Sequence, residues 1–217
     1  MPTEQPAGLI LAGLSNRANP ADRLLIAPNS IASDKILDLK EGAVIGTSSI
    51  RRKVQMKAIR PDIQIKDLRG NVPTRVQKLR EGNYDGIILA AAGLDRIEVD
   101  LAGLIIKNLH PREFVPAPGQ GVIAYQTRED DLEIRKIVAK IHKNSSAECT
   151  NVERKVLQLM DGGCHVPLGA YCEKDATGNF HLYASYKGPQ SEQVTSHRLS
   201  FNTTSKLAEE MVKLLNA

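Results

Sequence analysis

Short apolar runs alternate with stretches whose apolar residues recur every three to four positions through the first half of the chain. That pattern predicts strands alternating with helices, and so an α/β sheet with helices on its faces. Three of the runs, 43–46, 63–65 and 86–90, lead at once into a turn or helix start that carries arginine. The first is followed by Thr47-Ser48-Ser49-Ile50-Arg51-Arg52, the second by Leu68-Arg69-Gly70-Asn71 with Arg75, and the third by Gly93 with Arg96. Ligands of open α/β sheets lie beyond the carboxyl ends of the strands. The repetition therefore aims several guanidiniums at one crevice, and such a crevice calls for a ligand bearing several carboxylates or phosphates.

The remaining elements follow from the same pattern and its punctuation. A short strand is predicted over 9–12, followed by a polar stretch ending in Asn19-Pro20-Ala21-Asp22-Arg23, and the alternation over 24–114 predicts a mostly parallel sheet. Helices are expected over 49–59 and 74–81, with a shorter one near Leu94. Ser48 or Ser49 can cap the first, which stops before Pro61, and Asn71 with Pro73 can open the second. Residues 35–40 read as a solvated helical face. The cluster Pro116-Ala117-Pro118-Gly119-Gln120-Gly121 interrupts regular structure, as a connector or a ligand loop, before a strand over 122–126. Helices over 131–143 and 146–159 come next, the second closed by Asp161-Gly162-Gly163-Cys164. Strands over 168–173, 180–187 and 197–201 and a helix over 205–215 then form a separate α+β module.

Composition narrows the ligand class. The formal charge of +4 over 217 residues is too small to require nucleic acid, and with 4% aromatics and no tryptophan there are few platforms for stacking bases. Neither nucleic acid nor a membrane is expected as a partner. The N-terminal residues lack a basic segment followed by an apolar one, and the strongly apolar stretch around 86–94 is far short of the ~20 residues that span a bilayer. A cytoplasmic location is expected, and Cys149, Cys164 and Cys172, an odd set without a C-x-x-C pair, suit free thiols.

Thr47-Ser48-Ser49 at a helix start offers hydroxyls and free N–H groups to an anion, and the same residues also make a simple N-cap. Arg51 and Arg52 tilt the balance toward binding. Consecutive helical side chains point about 100° apart, so the two are expected to serve different anions, or one anion and one structural acid. Cys164, flanked by glycines, is either a reachable thiol or a small buried hydrophobe. Zinc on Cys164, His165, Cys172 and His181 fits no usual ligand spacing, so no metal is expected. A Cys164–His165 protease dyad fails because sequence neighbours do not face one another.

Taken together, Gly46-Thr47-Ser48-Ser49-Ile50-Arg51-Arg52, Leu68-Arg69-Gly70-Asn71-Val72 with Arg75, Ala92-Gly93-Leu94 with Arg96, Pro118-Gly119-Gln120-Gly121, and Glu153-Arg154 before Gly162-Gly163-Cys164 resemble the porphobilinogen deaminase (hydroxymethylbilane synthase) family. The resemblance implies a transferase of tetrapyrrole (porphyrin and heme) biosynthesis. Such enzymes join porphobilinogen units head to tail, with loss of ammonia, on a dipyrromethane cofactor held as a thioether, here on Cys164. It implies cofactor binding by Thr47, Ser49, Arg51 and Arg52 and substrate binding by Arg69, Arg75, Arg96 and Gln120. The implied fold is a pair of periplasmic-binding-protein-like (type II) α/β domains with parallel or mixed sheets, the first incomplete, plus a C-terminal α+β domain with a small antiparallel sheet. The corresponding division is 1–24 with 114–141 as the remnant of domain 1, 25–113 as domain 2, and 142–217 as the C-terminal domain.

In the family a His-Ser-x-Lys-Asp segment, whose aspartate is the catalytic acid, precedes the Pro-Thr-Glu type of sequence found here as Pro2-Thr3-Glu4. The resemblance therefore implies a chain truncated just after that segment and inactive alone. Family members are usually monomeric, but the apolar strand edges of an incomplete domain would favour self-association. The alternative to an enzyme is a non-catalytic module that binds polycarboxylates with the same arginines.

Overall fold

The computed structural model describes residues 5–160 and 166–217. Strand β1 (Leu9–Leu14) is followed by β2 (Asp22–Ile26), β3 (Val44–Gly46), helix α1 (Ile50–Ile59), β4 (Gln64–Lys66), α2 (Val72–Arg80), β5 (Gly86–Ala90), α3 (Ala91–Ile97) and β6 (Ile105–Leu109). Beyond the Pro116–Gly121 loop come β7 (Ala124–Arg128), α4 (Leu132–Ile141), α5 (Asn144–Leu159), β8 (Leu168–Lys174), β9 (Phe180–Tyr186), β10 (Thr195–Phe201) and α6 (Leu207–Asn216).

The central sheet has five strands in the order β4-β3-β5-β2-β6. β3 runs parallel to β4 and β5, whereas β2 runs antiparallel to β5 and β6. The sheet is therefore mixed, which corrects the expectation of a mostly parallel one. Its inner strands β2, β3 and β5 are largely apolar on both faces, as covering of both faces requires, while edge strand β4 is polar at both ends. Leu24, Ile26, Ile45 and Ile88 pack with Met56 of α1 on one side, while Leu25, Ile87 and Leu89 pack with Val76 and Leu79 of α2 on the other. The residues 35–40 expected as a helical face form only a short 3-10 turn, Ile36–Asp38, with Leu37 left-handed. Lys40 leaves that turn to pair with Asp85 at 2.6 Å.

β1 and β7 pair antiparallel as a separate two-stranded sheet. The last three strands form an antiparallel sheet ordered β10-β9-β8, and α5 and α6 cover the face that carries Leu168, Ala170, Leu182 and Ala184. This sheet docks on the segment entering the Pro116–Gly121 loop: Ala170 N donates to Pro116 O at 3.0 Å. A Cβ on Gly169 would lie 2.5 Å from Val115 O, so only glycine permits that approach. No described helix is long and apolar enough to cross a membrane.

Candidate functional site

Helix α1 starts where β3 ends, because Ser49 caps it by accepting from Arg52 N at 3.4 Å. Thr47 is buried, and its hydroxyl accepts from Ser49 N at 3.2 Å. Ser48 bonds both Leu68 N and Leu68 O, tying the start of α1 to the loop after β4. The hydroxyls of Thr47 and Ser49 thus shape the helix entrance, and the simple cap is what the geometry realises.

Cap formation puts Arg51 and Arg52 in the first turn, and both turn inward to one carboxylate. Asp22, the first residue of β2, is fully buried. Its Oδ2 accepts from Arg51 Nη1 at 2.8 Å, and its Oδ1 from Arg52 Nη2 at 2.7 Å and Gln120 Nε2 at 2.8 Å. The expectation that the two arginines serve different ions is therefore corrected. The sheet brings Asp22 opposite Ala90 at the carboxyl end of β5, where one carboxylate meets both guanidiniums on its two oxygens. Burial pushes the Asp22 carboxyl up, but Arg51 and Arg52 outweigh it and hold the pKa at about 2.

Arg51 is further engaged by Val115 O at 2.9 Å and Gln120 Oε1 at 3.3 Å, and Arg52 Nη1 reaches Ile88 O at 3.1 Å. Arg52 Nε is buried without a partner. Two guanidiniums against one carboxylate leave a net positive charge in a buried cluster, and Arg75 adds to it. Burial and the neighbouring Arg52 charge both push the Arg75 guanidinium pKa down, while its Nε donates to Gly70 O at 2.7 Å. The cluster is short of negative charge and has a donor to spare.

The other expected residues are more dispersed. Gln120 joins the cluster directly. Arg96 is exposed and holds Gly121 O at 2.7 Å, steadying the loop. Arg69 is exposed, and its carbonyl accepts from Lys78. Convergence thus holds for Arg51, Arg52, Arg75 and Gln120, and is not made by Arg69. Cys164 and His165 lie outside the described residues, while Cys149 and Cys172 are free and buried. A cleft of about 880 Å³ between α5 and α6, lined in part by His142, Glu148 and Lys155, contains none of these residues.

Sequence reading missed three members of the site. Asp22 appeared there only as the end of a polar stretch. Gln55, one turn after Arg51 on α1, clamps Val115 through both its N–H and its C=O. Its helical spacing from Arg51 was the available signal. Arg17 forks onto fully buried Glu153 of α5 at 2.5 and 3.2 Å and donates through Nε to Gln120 O at 3.1 Å. Glu153 also accepts from Gly119 N and Cys172 N, each at 2.7 Å. Burial pushes the Glu153 carboxyl up, against the pull of Arg17 and the two amides. One bonded path therefore runs from α5 through Arg17 and Gln120 to the arginine pair.

Comparison with known proteins places the chain in a family. Residues 1–136 match the family model described as porphobilinogen deaminase, dipyromethane cofactor binding domain, and residues 147–216 match that of the porphobilinogen deaminase C-terminal domain. Porphobilinogen deaminase of Oceanobacillus iheyensis is 40% identical over 217 residues, covering 99% of this chain and 68% of the relative. That of Thermus thermophilus is 43% identical over 182 residues, covering 84% of this chain and 58% of the relative. Among solved structures, an arginine-specific periplasmic binding protein of Salmonella typhimurium aligns over 62% of this chain and 59% of its own at TM-score 0.40 and 11% identity, too slight a likeness to argue from. With both family models matched in order and this identity sustained along nearly its whole length, the chain belongs to the porphobilinogen deaminase family.

Proposed function

We propose that this chain serves the family reaction, the stepwise deaminating condensation of porphobilinogen into hydroxymethylbilane, as the part that grips acidic pyrroles and carries the primer. The observation that carries this reading is the buried Asp22–Arg51–Arg52 cluster with its unsatisfied Arg52 Nε and its excess of positive charge. Dipyrromethane and porphobilinogen present acetate and propionate groups, and charge-assisted arginine contacts of about 1.5–3 kcal/mol each suit them. The residues present therefore fit the group. When bound, the dipyrromethane supplies the ring to which the first substrate is joined.

The chain's residues then divide the work. Arg51 and Arg52 hold cofactor carboxylates at the entrance shaped by Thr47 and Ser49, and Arg75 extends the positive surface toward the substrate. Gln120 carries the position of the Pro116–Gly121 loop to the arginine pair, and Arg96 anchors that loop from the other side. Arg69, on the exposed rim, guides the acidic substrate inward. Cys164 is the attachment point. We assign 25–113, together with residues 22–24 of the same strand β2, to anion binding, 142–217 to the cofactor cysteine, and the rest of 1–24 with 114–141 to the first domain.

No His-Ser-x-Lys-Asp segment occurs among the 217 residues, so we assign these residues binding and carrying rather than proton transfer. A polypeptide of this sequence alone is expected to bind porphobilinogen without releasing ammonia, as a cytoplasmic protein needing neither metal nor nucleic acid. The test is the intact mass of the purified chain before and after incubation with hydroxymethylbilane, with peptide mapping of Cys164. A mass gain fitting dipyrromethane on that residue supports the reading. An unmodified Cys164 in a chain that still binds polycarboxylates overturns it in favour of a non-catalytic anion-binding module.

A further inference from the structure

Asp22 is buried beside both arginines, and binding of an acidic ligand gives it no obvious part, since a carboxylate among ligand-binding guanidiniums competes with the ligand for them. Its placement resolves the conflict. Two adjacent guanidiniums buried without a counter-ion are prohibitively costly, and β2 holds Asp22 between β5 and β6, opposite Ala90 and Leu109, so its backbone is fixed on both sides. Oδ2 then takes Arg51 and Oδ1 takes Arg52, and Gln120 Nε2 completes the shell. Arg51 donates to Asp22, Val115 O and Gln120 Oε1, three of its five N–H groups. Arg52, 9% exposed, has a buried Nε without a partner, and Arg75 lies near enough for its charge to act on Arg52.

We infer that Asp22 is a positioning residue that holds the Arg51 and Arg52 guanidiniums ready before any ligand arrives and limits the charge of the trio to one positive unit. A single ligand carboxylate, received on the Arg52 side, then neutralises the trio. Preorganisation of this kind improves affinity by removing the cost of ordering the side chains on binding. The inference rests on the acidic-pyrrole reading above, and its test separates the two.

The decisive variant is Asp22→Asn. It adds one positive charge to the cluster, so a carboxylate that merely competed with the ligand would, once neutralised, leave tighter anion binding. A positioning role gives the opposite sign: the amide offers one acceptor and turns N–H toward the second guanidinium, which swings away. Calorimetric titration of the chain with porphobilinogen is expected to show affinity about tenfold weaker or worse, as for loss of one charge-assisted contact. Asp22→Ala is expected to regain affinity when formate is added to fill the gap, which recovery from a general packing defect would not follow. Equal or tighter binding by Asp22→Asn, or no gain with formate, overturns the inference.

Should neither variant fold, the unmodified chain decides. Guanidinium nitrogen NMR without ligand is expected to show hindered Cζ–Nε rotation for both Arg51 and Arg52, and free rotation of either refutes pre-positioning. Failure of the unmodified chain to bind porphobilinogen would count against the acidic-pyrrole reading instead, while the NMR result still settles the part played by Asp22.

Discussion

Glu153→Gln is the substitution whose cost the structure defines most sharply. Glu153 Oε1 accepts from Arg17 Nη1 and Cys172 N, and Oε2 from Arg17 Nη2 and Gly119 N, all in a fully buried site. Glutamine keeps the shape but only one of the two acceptor atoms. Two of the four bonds are lost and an amide N–H₂ is turned toward two other donors. Breaking a buried ion pair by removing one partner costs about 3–5 kcal/mol. The lower end applies, because burial already works against the ionised carboxyl. About 3 kcal/mol corresponds to a fall in Tm of about 6–12 °C for a chain of this size. Urea denaturation followed by circular dichroism measures the free energy, and a cycle with Arg17→Met isolates the pair. The double variant is expected to cost clearly less than the sum of the two single changes, because it leaves no stranded cation. A loss below about 1 kcal/mol, or strict additivity with Arg17→Met, would refute the reasoning. Since Arg17 also holds Gln120 O, the variant is further expected to weaken porphobilinogen binding at a site on the far side of the loop.

Three further outcomes follow from the geometry. The Asp22 carboxyl, held at about 2 against an ordinary 3.8, contributes stability that is fully present above the ordinary value and is lost as pH falls through the folded value. Acid titration of stability should therefore lose about 2 kcal/mol between pH 4 and 2 that Asp22→Asn does not lose, and parallel curves would contradict the assignment. Gly121→Ala places a Cβ 2.6 Å from Ala18 O at a φ of +87°. It should cost at least about 2 kcal/mol in denaturant melts, whereas near-neutral stability would mean the loop can shift. Asn71→Ala removes the acceptor for Thr74 N at 2.9 Å that starts α2 and should cost about 1 kcal/mol by the same assay, with unchanged stability arguing against the cap.

The sequence determined what is written within a few residues. Ser49 and Asn71 fix where α1 and α2 begin, and the expected strand over 86–90 is β5 itself, because caps and apolar runs act over one or two turns of chain. The family motifs were equally local, and they named Arg51, Arg52 and Gln120 before any contact was known. Tertiary structure decided what those residues do. β2 follows a polar stretch whose Asn19-Pro20 turn signal says nothing of its strand partners, so its place inside the sheet depends on packing against β5 and β6. That placement alone turns Asp22 into the partner of two arginines about thirty positions away. The bond from Arg17 to Glu153 spans 136 positions, and no local propensity encodes such a pair. Local sequence therefore chose the guanidiniums, and long-range packing chose the carboxylates and loop that orient them, because burial of charge is settled only when distant segments meet.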